Sequence, residues 1–182
     1  MKKIVSAIIV LIIIIVIALA ASLFISKNNQ AKQRLAAVSS FEECAALGNP
    51  IMESYPEQCR TADGRSFTRD IGNELEKRDL IMVDSPRPGE TVKSPLTITG
   101  QARGTWFFEA SFPVRLLDEK GQVLGQGIAQ AQSDWMTEEF VPFMAVLEFS
   151  TPTTMRGNLI LKKDNPSGLP EHDDELRIPV RF

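Results

Sequence analysis

One histidine and two cysteines limit the chemistry open to this chain of 182 residues. The histidine, His172, follows Ser167 and precedes Asp173 and Asp174, which are the residue types of a Ser-His-Asp hydrolase. No G-x-S-x-G segment surrounds Ser167, although such a strained turn exposes the nucleophile in α/β-hydrolases. P-loop, dinucleotide-binding, zinc-protease and C-x-x-C motifs are also absent from the sequence. We therefore expect no enzyme activity, no catalytic residue and no cofactor.

The segment that contains His172 is also rich in oxygen ligands. Asp164, Asn165, Asp173 and Asp174 carry the hard oxygen atoms that Ca²⁺ prefers. Their spacing lacks the alternation of a D-x-[DN]-x-[DN]-G loop, which favours a solvated connection between two strands over a metal site. We keep these four residues as candidate binding residues and predict no metal.

Aromatic residues beside predicted loops form a second candidate set. Trp106, Phe107 and Phe108 are consecutive, and Trp135 lies in a polar segment. Stacking on a sugar or a peptide is one interpretation. Core packing is the other, because two of three consecutive strand side chains can face inward. Trp106, Phe107 and Trp135 are the aromatic candidates for binding.

Cys44 and Cys59 belong to a segment, residues 40–70, that is too short to fold through its own core. A bridge between them would close a 16-residue loop and contribute about 3 kcal/mol. Two reduced, buried thiols are the alternative, and a redox pair is not favoured without C-x-x-C spacing. We predict a Cys44–Cys59 disulfide, formed in an oxidising compartment.

The same segment contains a helix signal and a hairpin signal. Ser40 and Glu43 form a capping box, and Gly48 stops the helix that it begins. Asp63 and Gly64 favour a tight turn between two short strands. Residues 40–70 are therefore expected to form a small helix-plus-hairpin unit. The unit is similar to a Cys-pair unit of exported bacterial proteins of unassigned function and, more faintly, to the Cys-Asp-Gly segment of Kazal-type protease inhibitors, which have six cysteines.

Residues 4–25 contain no charge and would form a helix of about 33 Å, enough to cross a bilayer once. A cleaved signal peptide is the alternative, since Lys2 and Lys3 precede an Ala18-Leu19-Ala20 cleavage pattern. The apolar run continues to Ile25, which favours an uncleaved anchor. We expect residues 1–25 to be a cytosolic tail and transmembrane signal anchor, with the C-terminal domains extracytoplasmic. Residues 26–39 are expected to be a polar stalk.

After a charged linker at 71–78, apolar and polar residues alternate with period two and turns recur at regular intervals. About seven strands over residues 79–182 indicate an all-β, antiparallel, immunoglobulin-like sandwich. Residues 139–149 are apolar on both sides and are placed centrally, and Pro179 places the last strand at an edge. The predicted interior residues are Val141, Phe143, Leu147, Phe149, Leu116, Leu161, Ile178 and Val180.

The alternating region also carries an ordered set of motifs over residues 80–182. They are Ser85-Pro86-x-Pro88-Gly89, Leu96-x-Ile98-x-Gly100-x-Ala102, Phe108-Glu109-Ala110, Val114-Arg115-Leu116-Leu117-Asp118, Gly121-x-Val123-Leu124 and Ile178-Pro179-Val180. This region resembles the immunoglobulin-like domain associated with bacterial spore germination. The resemblance implies an extracytoplasmic sandwich, often joined to membrane anchors, without an established enzymatic activity.

The formal net charge of the whole chain is −3. Removing the two lysines before the apolar run leaves an acidic exported part, which repels anionic polymers and excludes nucleic acid as a partner. We predict a non-catalytic binding or structural module of the bacterial cell envelope, anchored to the membrane through residues 4–25. Its partner would be a cell-wall component or another envelope protein. An exported hydrolase or protease inhibitor is the alternative.

Overall fold

The computed structural model describes residues 2–182 and divides between Arg69 and Asp70 into two compact units. We call these the N-terminal unit and the C-terminal unit. The backbone alone is described for residues 2–13, Ala18 and Ala31.

The N-terminal unit begins with a long helix, α1 (Lys2–Ala36), which contains the predicted anchor. Met1 of the expected cytosolic tail lies outside the described residues. Leu23, Phe24 and Ile25 are each more than half exposed along α1, so the helix buries little of its apolar surface within the unit. In the described part of the chain, α1 is the one helix whose length and composition would let it cross a membrane.

A short helix, α2 (Phe41–Ala46), follows and has the predicted cap. The Ser40 side chain accepts a hydrogen bond from the Glu43 N–H at 3.2 Å. The Glu43 carboxylate reaches back one residue further than a standard capping box and accepts from the Ser39 N–H at 2.7 Å. Gly48, with φ of +75°, ends the turn after the helix.

Three short strands complete this unit: β1 (Ile51–Met52), β2 (Gln58–Arg60) and β3 (Ser66–Thr68). The predicted hairpin joins β2 to β3, whereas β1 is too short to leave a pattern in the sequence. The Cys44–Cys59 disulfide is confirmed, with Cα atoms 6.0 Å apart. The two cysteines, Val38 and Phe41 are the buried residues of this small core.

Arg65 connects the hairpin to the end of α1. Its guanidinium donates hydrogen bonds to the carbonyl oxygens of Val38 at 2.9 Å and Leu35 at 2.6 Å. The last carbonyls of a helix have no partner within the helix. Arg65 therefore supplies donors that the C-terminus of α1 needs.

The C-terminal unit contains a one-turn helix, α3 (Glu74–Lys77), and seven strands. The strands are β4 (Ile81–Ser85), β5 (Leu96–Arg103), β6 (Ser111–Asp118), β7 (Val123–Ala131), β8 (Phe140–Leu147), β9 (Arg156–Lys162) and β10 (Glu175–Arg181). Their order is β10-β9-β6-β7-β8-β5-β4, and every ladder is antiparallel. The predicted all-β immunoglobulin-like fold is confirmed.

The strands form two layers joined by β7. Along its length β7 pairs with β6, but its regular ladder with β8 contains Gln130 and Ala131 alone. Strands β4, β5 and β8 make one half of the sandwich, and β6, β7, β9 and β10 make the other. Phe112 of β6 meets Phe143 of β8 edge-to-face, with ring centroids 5.0 Å apart, so the two layers share one core.

Seven of the eight predicted interior residues are buried in this core, and Phe149 is the exception. It lies two residues beyond β8 and is half-buried beside Phe182. The second side of β8 also differs from the prediction. Met144 and Val146 are 44% and 60% exposed, although β8 lies between two other strands. An internal position in the sheet order buries one face of a strand, not both.

Strand β10 lies at an edge, as Pro179 predicts, and this edge is covered. Asn73 accepts a hydrogen bond from the Arg177 N–H at 2.7 Å and donates to the Glu175 carbonyl at 2.9 Å. Gly72 makes this approach possible, because an added Cβ would lie 1.9 Å from the Arg177 oxygen. The segment 71–78, expected to be a linker, is therefore packed against β10.

Residues 89–92 cover the remainder of the same edge. The Gly89 N–H donates to the Pro179 carbonyl, and the Val92 N–H donates to the Arg181 carbonyl. The Arg181 N–H donates in turn to the Glu90 carbonyl. Backbone groups at an open edge would otherwise offer a template for another strand.

Candidate functional site

Three loops of the C-terminal unit meet at one end of the sandwich. Residues 104–110 connect β5 to β6, residues 132–139 connect β7 to β8, and residues 163–174 connect β9 to β10. Because neighbouring strands are antiparallel, all three connections lie at the same end, which we call the loop end. Loops carried by a rigid sandwich are a common place for binding.

Hydrogen bonds between backbones fix the loops relative to one another. The Asp164 N–H donates to the Trp106 carbonyl at 3.0 Å, and the Gly104 N–H donates to the Glu139 carbonyl at 3.2 Å. A Cβ at Gly104 would lie 1.9 Å from the Thr137 oxygen, so glycine permits this close contact. The loop end is therefore one connected surface.

The aromatic candidates differ in burial. Trp106 and Phe107 are 1% and 4% exposed, and the Phe107 ring packs edge-on against Phe112 at 5.2 Å. A single 3₁₀ turn carries both side chains into the core, so neither presents a ring face to a ligand, and core packing is the interpretation that holds. Trp135 is half-buried against the core. Phe108, absent from the predicted binding set, is 41% exposed.

Phe108 precedes a turn with unusual backbone geometry. Phe108 and Ser111 exchange backbone hydrogen bonds of 3.0 and 3.1 Å around Glu109 and Ala110. The φ angles of these two residues are 50° and 61°, which is the left-handed region. Asn and Gly favour such a turn, and an ordinary residue costs about 1–2 kcal/mol there. The Ala131 N–H holds the turn by donating to the Ala110 carbonyl at 2.8 Å.

Asn165 organises the loop of residues 163–174. Its amide nitrogen donates to the Leu169 carbonyl at 2.8 Å and to the Asp173 carboxylate at 2.9 Å. The Lys162 ammonium lies 3.2 Å from the same carboxylate. The hydrogen bond from Asn165 and then the contact with Lys162 lower the pKa of Asp173 below its usual value.

Ser167 and His172 approach each other but lack the arrangement of a nucleophile and its base. The Ser167 Oγ lies 2.6 Å from the Asn165 Oδ1 and 3.0 Å from the His172 Nδ1. A hydroxyl has one proton, and the Asn165 Oδ1 can only accept it. The His172 Nδ1 must therefore donate to Ser167, so it has no lone pair with which to remove the serine proton.

Lysines occupy the carboxylates considered as calcium ligands. Asp174 lies 2.6 Å from the Lys77 ammonium, and Asp173 has Lys162. Asp164 and Asn165 belong to the loop contacts described above. Within residues 2–182, the described side chains include no group of three or more His, Cys, Asp or Glu placed to hold a metal.

A polar cleft of about 380 Å³ lies beside this loop. It is lined by Asn73, Glu76, Lys77, Lys162, Asp173, Asp174 and Glu175. Two Asp–Lys pairs already satisfy much of its charge. The sequence did not reveal the cleft, because it forms only when α3 packs beside β10.

Charge is distributed unevenly over the C-terminal unit. The three loops contain eight acidic residues and one basic residue, Lys163. The remainder of Asp70–Phe182 contains ten acidic and eleven basic residues. The loop end therefore carries all of the net negative charge of the unit.

A comparison with known families identifies the domain. Residues 80–168 match the family model of the immunoglobulin-like domain of bacterial spore germination. The domain belongs to this family. The resemblance found in the sequence is thereby confirmed, and in this spore-germination immunoglobulin-like domain the last strand, β10, lies beyond the matched range.

One curated protein is similar over a longer segment. The probable GTP-binding protein EngB of Serratia proteamaculans (strain 568) is 29% identical over 125 residues, covering 60% of this chain and 55% of that protein. The chain thus spans about half the length of this relative. It also lacks a P-loop motif, so GTP binding is not carried over. No solved structure matches the chain.

Proposed function

We propose that this chain is a membrane-anchored, extracytoplasmic binding module of the bacterial cell envelope that contacts another envelope protein through its loop end. The family of residues 80–168 supports a non-catalytic module. The apolar length of α1 supports anchoring, and the disulfide supports an oxidising exterior.

The observation that carries the proposal is the turn at Glu109 and Ala110. It places an exposed Phe108 on a backbone whose strain is maintained by hydrogen bonds to neighbouring residues. Strain that the surrounding structure maintains concentrates at functional sites. An exposed, rigidly held aromatic side chain suits the centre of a protein interface.

The charge of the loop end selects among partners. Its acidic excess repels anionic wall polymers and attracts a protein with a basic surface. We therefore favour an envelope protein over a cell-wall component as the partner. Binding should weaken as ionic strength rises, because salt screens exposed charges.

Affinity capture with the full chain in detergent tests this proposal. Phe108→Ala should remove the proteins captured from a crude envelope extract. Val123→Ala is the matched control, since Val123 is 48% exposed and lies at the opposite end of the sandwich. Equal capture by both variants would contradict binding through the loop end.

Two further measurements test anchoring and orientation. Mass spectrometry of the membrane-bound protein should find the N-terminus before residue 4, whereas an N-terminus at Ala21 would indicate cleavage. A C-terminal tag should be removed by protease added to intact cells from which any outer barrier has been stripped. A protected tag would contradict the proposed orientation.

A further inference from the structure

One half of the sandwich has an outer face without charged side chains. We call it the uncharged face, and it is formed by β4, β5, β8 and the part of β7 beside β8. Its residues are Met82, Thr97, Thr99, Gln101, Gln126, Ile128, Gln130, Pro142, Met144 and Val146.

These side chains are contiguous across the strands. Val146 pairs with Thr97 of β5, and Met144 lies between Thr99 of β5 and Gln130 of β7. The most exposed members are apolar, with Val146 at 60% and Met144 at 44%. The face is thus an apolar stripe bordered by uncharged polar groups.

Ile128 extends this stripe onto β7. It is 58% exposed. The register of β7 with β8, continued by one further pair of outward residues, places Ile128 opposite Val146. Gly127 shows that the strands are still adjacent there, because its Cβ position would lie 3.2 Å from the Leu147 side chain.

The outer face of the other half has the opposite character. It carries Arg115 on β6, Arg156 and Lys162 on β9, and Arg177 and Arg181 on β10. Covering the uncharged face with a surface of that kind would remove charges from water without pairing them, which is unfavourable. A covering surface must itself be uncharged.

We infer that the uncharged face packs against the same face of a second copy of this chain. The C-terminal unit has a net negative charge, so two copies repel each other over most of their surface. The uncharged face avoids this repulsion and is complementary to itself. Two sheets would then lie about 10 Å apart in an isologous dimer.

The size of the face sets the strength of this contact. A stable interface takes about 800 Å² from each partner through 20–30 residues, so ten residues supply roughly 300–400 Å². That area is too small for a stable dimer in dilute solution. Co-anchoring in one membrane raises the effective concentration toward the millimolar range, where a weak contact forms. This step rests on the anchoring proposed above.

Site-specific cross-linking tests the dimer with the full chain in liposomes. Cys44 and Cys59 are bonded to each other, so Met144→Cys introduces the one free thiol near the centre of the face. In an isologous dimer this thiol meets its own counterpart. Arg115→Cys is the control, because it is exposed on the outer face of the other half. Both variants share α1, so association of the helices alone would affect them equally.

Under mild oxidation, Met144→Cys should form a disulfide dimer about tenfold faster than Arg115→Cys at equal protein density, as expected for a specific weak contact. Adding Val146→Lys to Met144→Cys should reduce the rate to that of the control, with the melting temperature unchanged. Equal rates for the two single variants would overturn the inference.

Flotation of the liposomes separates this result from the question of anchoring. A chain that does not float with the vesicles refutes the proposed anchor and leaves the face to be tested in solution. The same pair of variants at about 1 mM protein, near the effective concentration of a tethered pair, then gives the decision. Preferential cross-linking of Met144→Cys supports the dimer, and equal cross-linking overturns it.

Discussion

Replacing Ala110 with glycine should stabilise the C-terminal unit, although glycine usually destabilises a folded protein. Ala110 has a φ of 61°, where its Cβ costs about 1–2 kcal/mol. Glycine removes this cost but loses about 0.4–1 kcal/mol through the greater freedom of the unfolded chain. The difference is a net gain of about 0.5–1 kcal/mol. The hydrogen bonds of the turn are between backbone atoms, so the substitution leaves them in place.

Urea unfolding followed by tryptophan fluorescence measures this change. Both tryptophans, Trp106 and Trp135, belong to the C-terminal unit, so the signal reports on that unit alone. Ala131→Gly is the control, because Ala131 ends a strand without a positive φ and should lose about 0.5–1 kcal/mol. If Ala110→Gly destabilised the unit as Ala131→Gly does, the assignment of strain to this turn would be refuted.

Three other predictions concern the core, the disulfide and the loop end. Phe143→Ala removes a ring that is 2% exposed and should lower the free energy of unfolding of the C-terminal unit by about 3–5 kcal/mol, measured in the same urea assay. Reduction of Cys44–Cys59 should destabilise the N-terminal unit by about 3 kcal/mol and speed hydrogen exchange over residues 40–69, while the tryptophan signal stays unchanged. Because Asp173 has a lowered pKa when folded, its contribution is present above the unfolded pKa of about 3.9 and is lost as the pH falls through the folded pKa. Amide exchange in residues 163–174, corrected for intrinsic rates, should accelerate in acid, and Asn165→Ala should raise the pKa of Asp173 measured by NMR.

The sandwich was predictable because its burial follows the two-residue period of a strand. Ile178 and Val180, for example, face the core on either side of Pro179, and the proline alone indicates an edge. The alternation cannot show where a strand ends, so Phe149 was placed inside although it lies beyond β8. Nor can it show that Met144 faces solvent, since apolar composition alone does not require burial.

The candidate site was less predictable because it depends on loop geometry. The sequence places Trp106, Phe107 and Phe108 together, but a 3₁₀ turn decides which ring is exposed. The left-handed turn at Glu109 and Ala110 has no sequence signal, because neither residue type favours that conformation. Asn73 likewise looks like one polar residue in a charged linker until the fold places it against β10.

The covered edge of β10 has a consequence for crowding at a surface. Strand-by-strand polymerisation resembles the growth of any linear polymer, since each monomer needs two reactive ends. Asn73 and residues 89–92 occupy one of those ends from within the chain. Each copy is therefore monofunctional toward edge pairing, and any accidental strand addition through β4 would terminate at a pair. The chain can accumulate at high density without seeding a fibril from its own sheets.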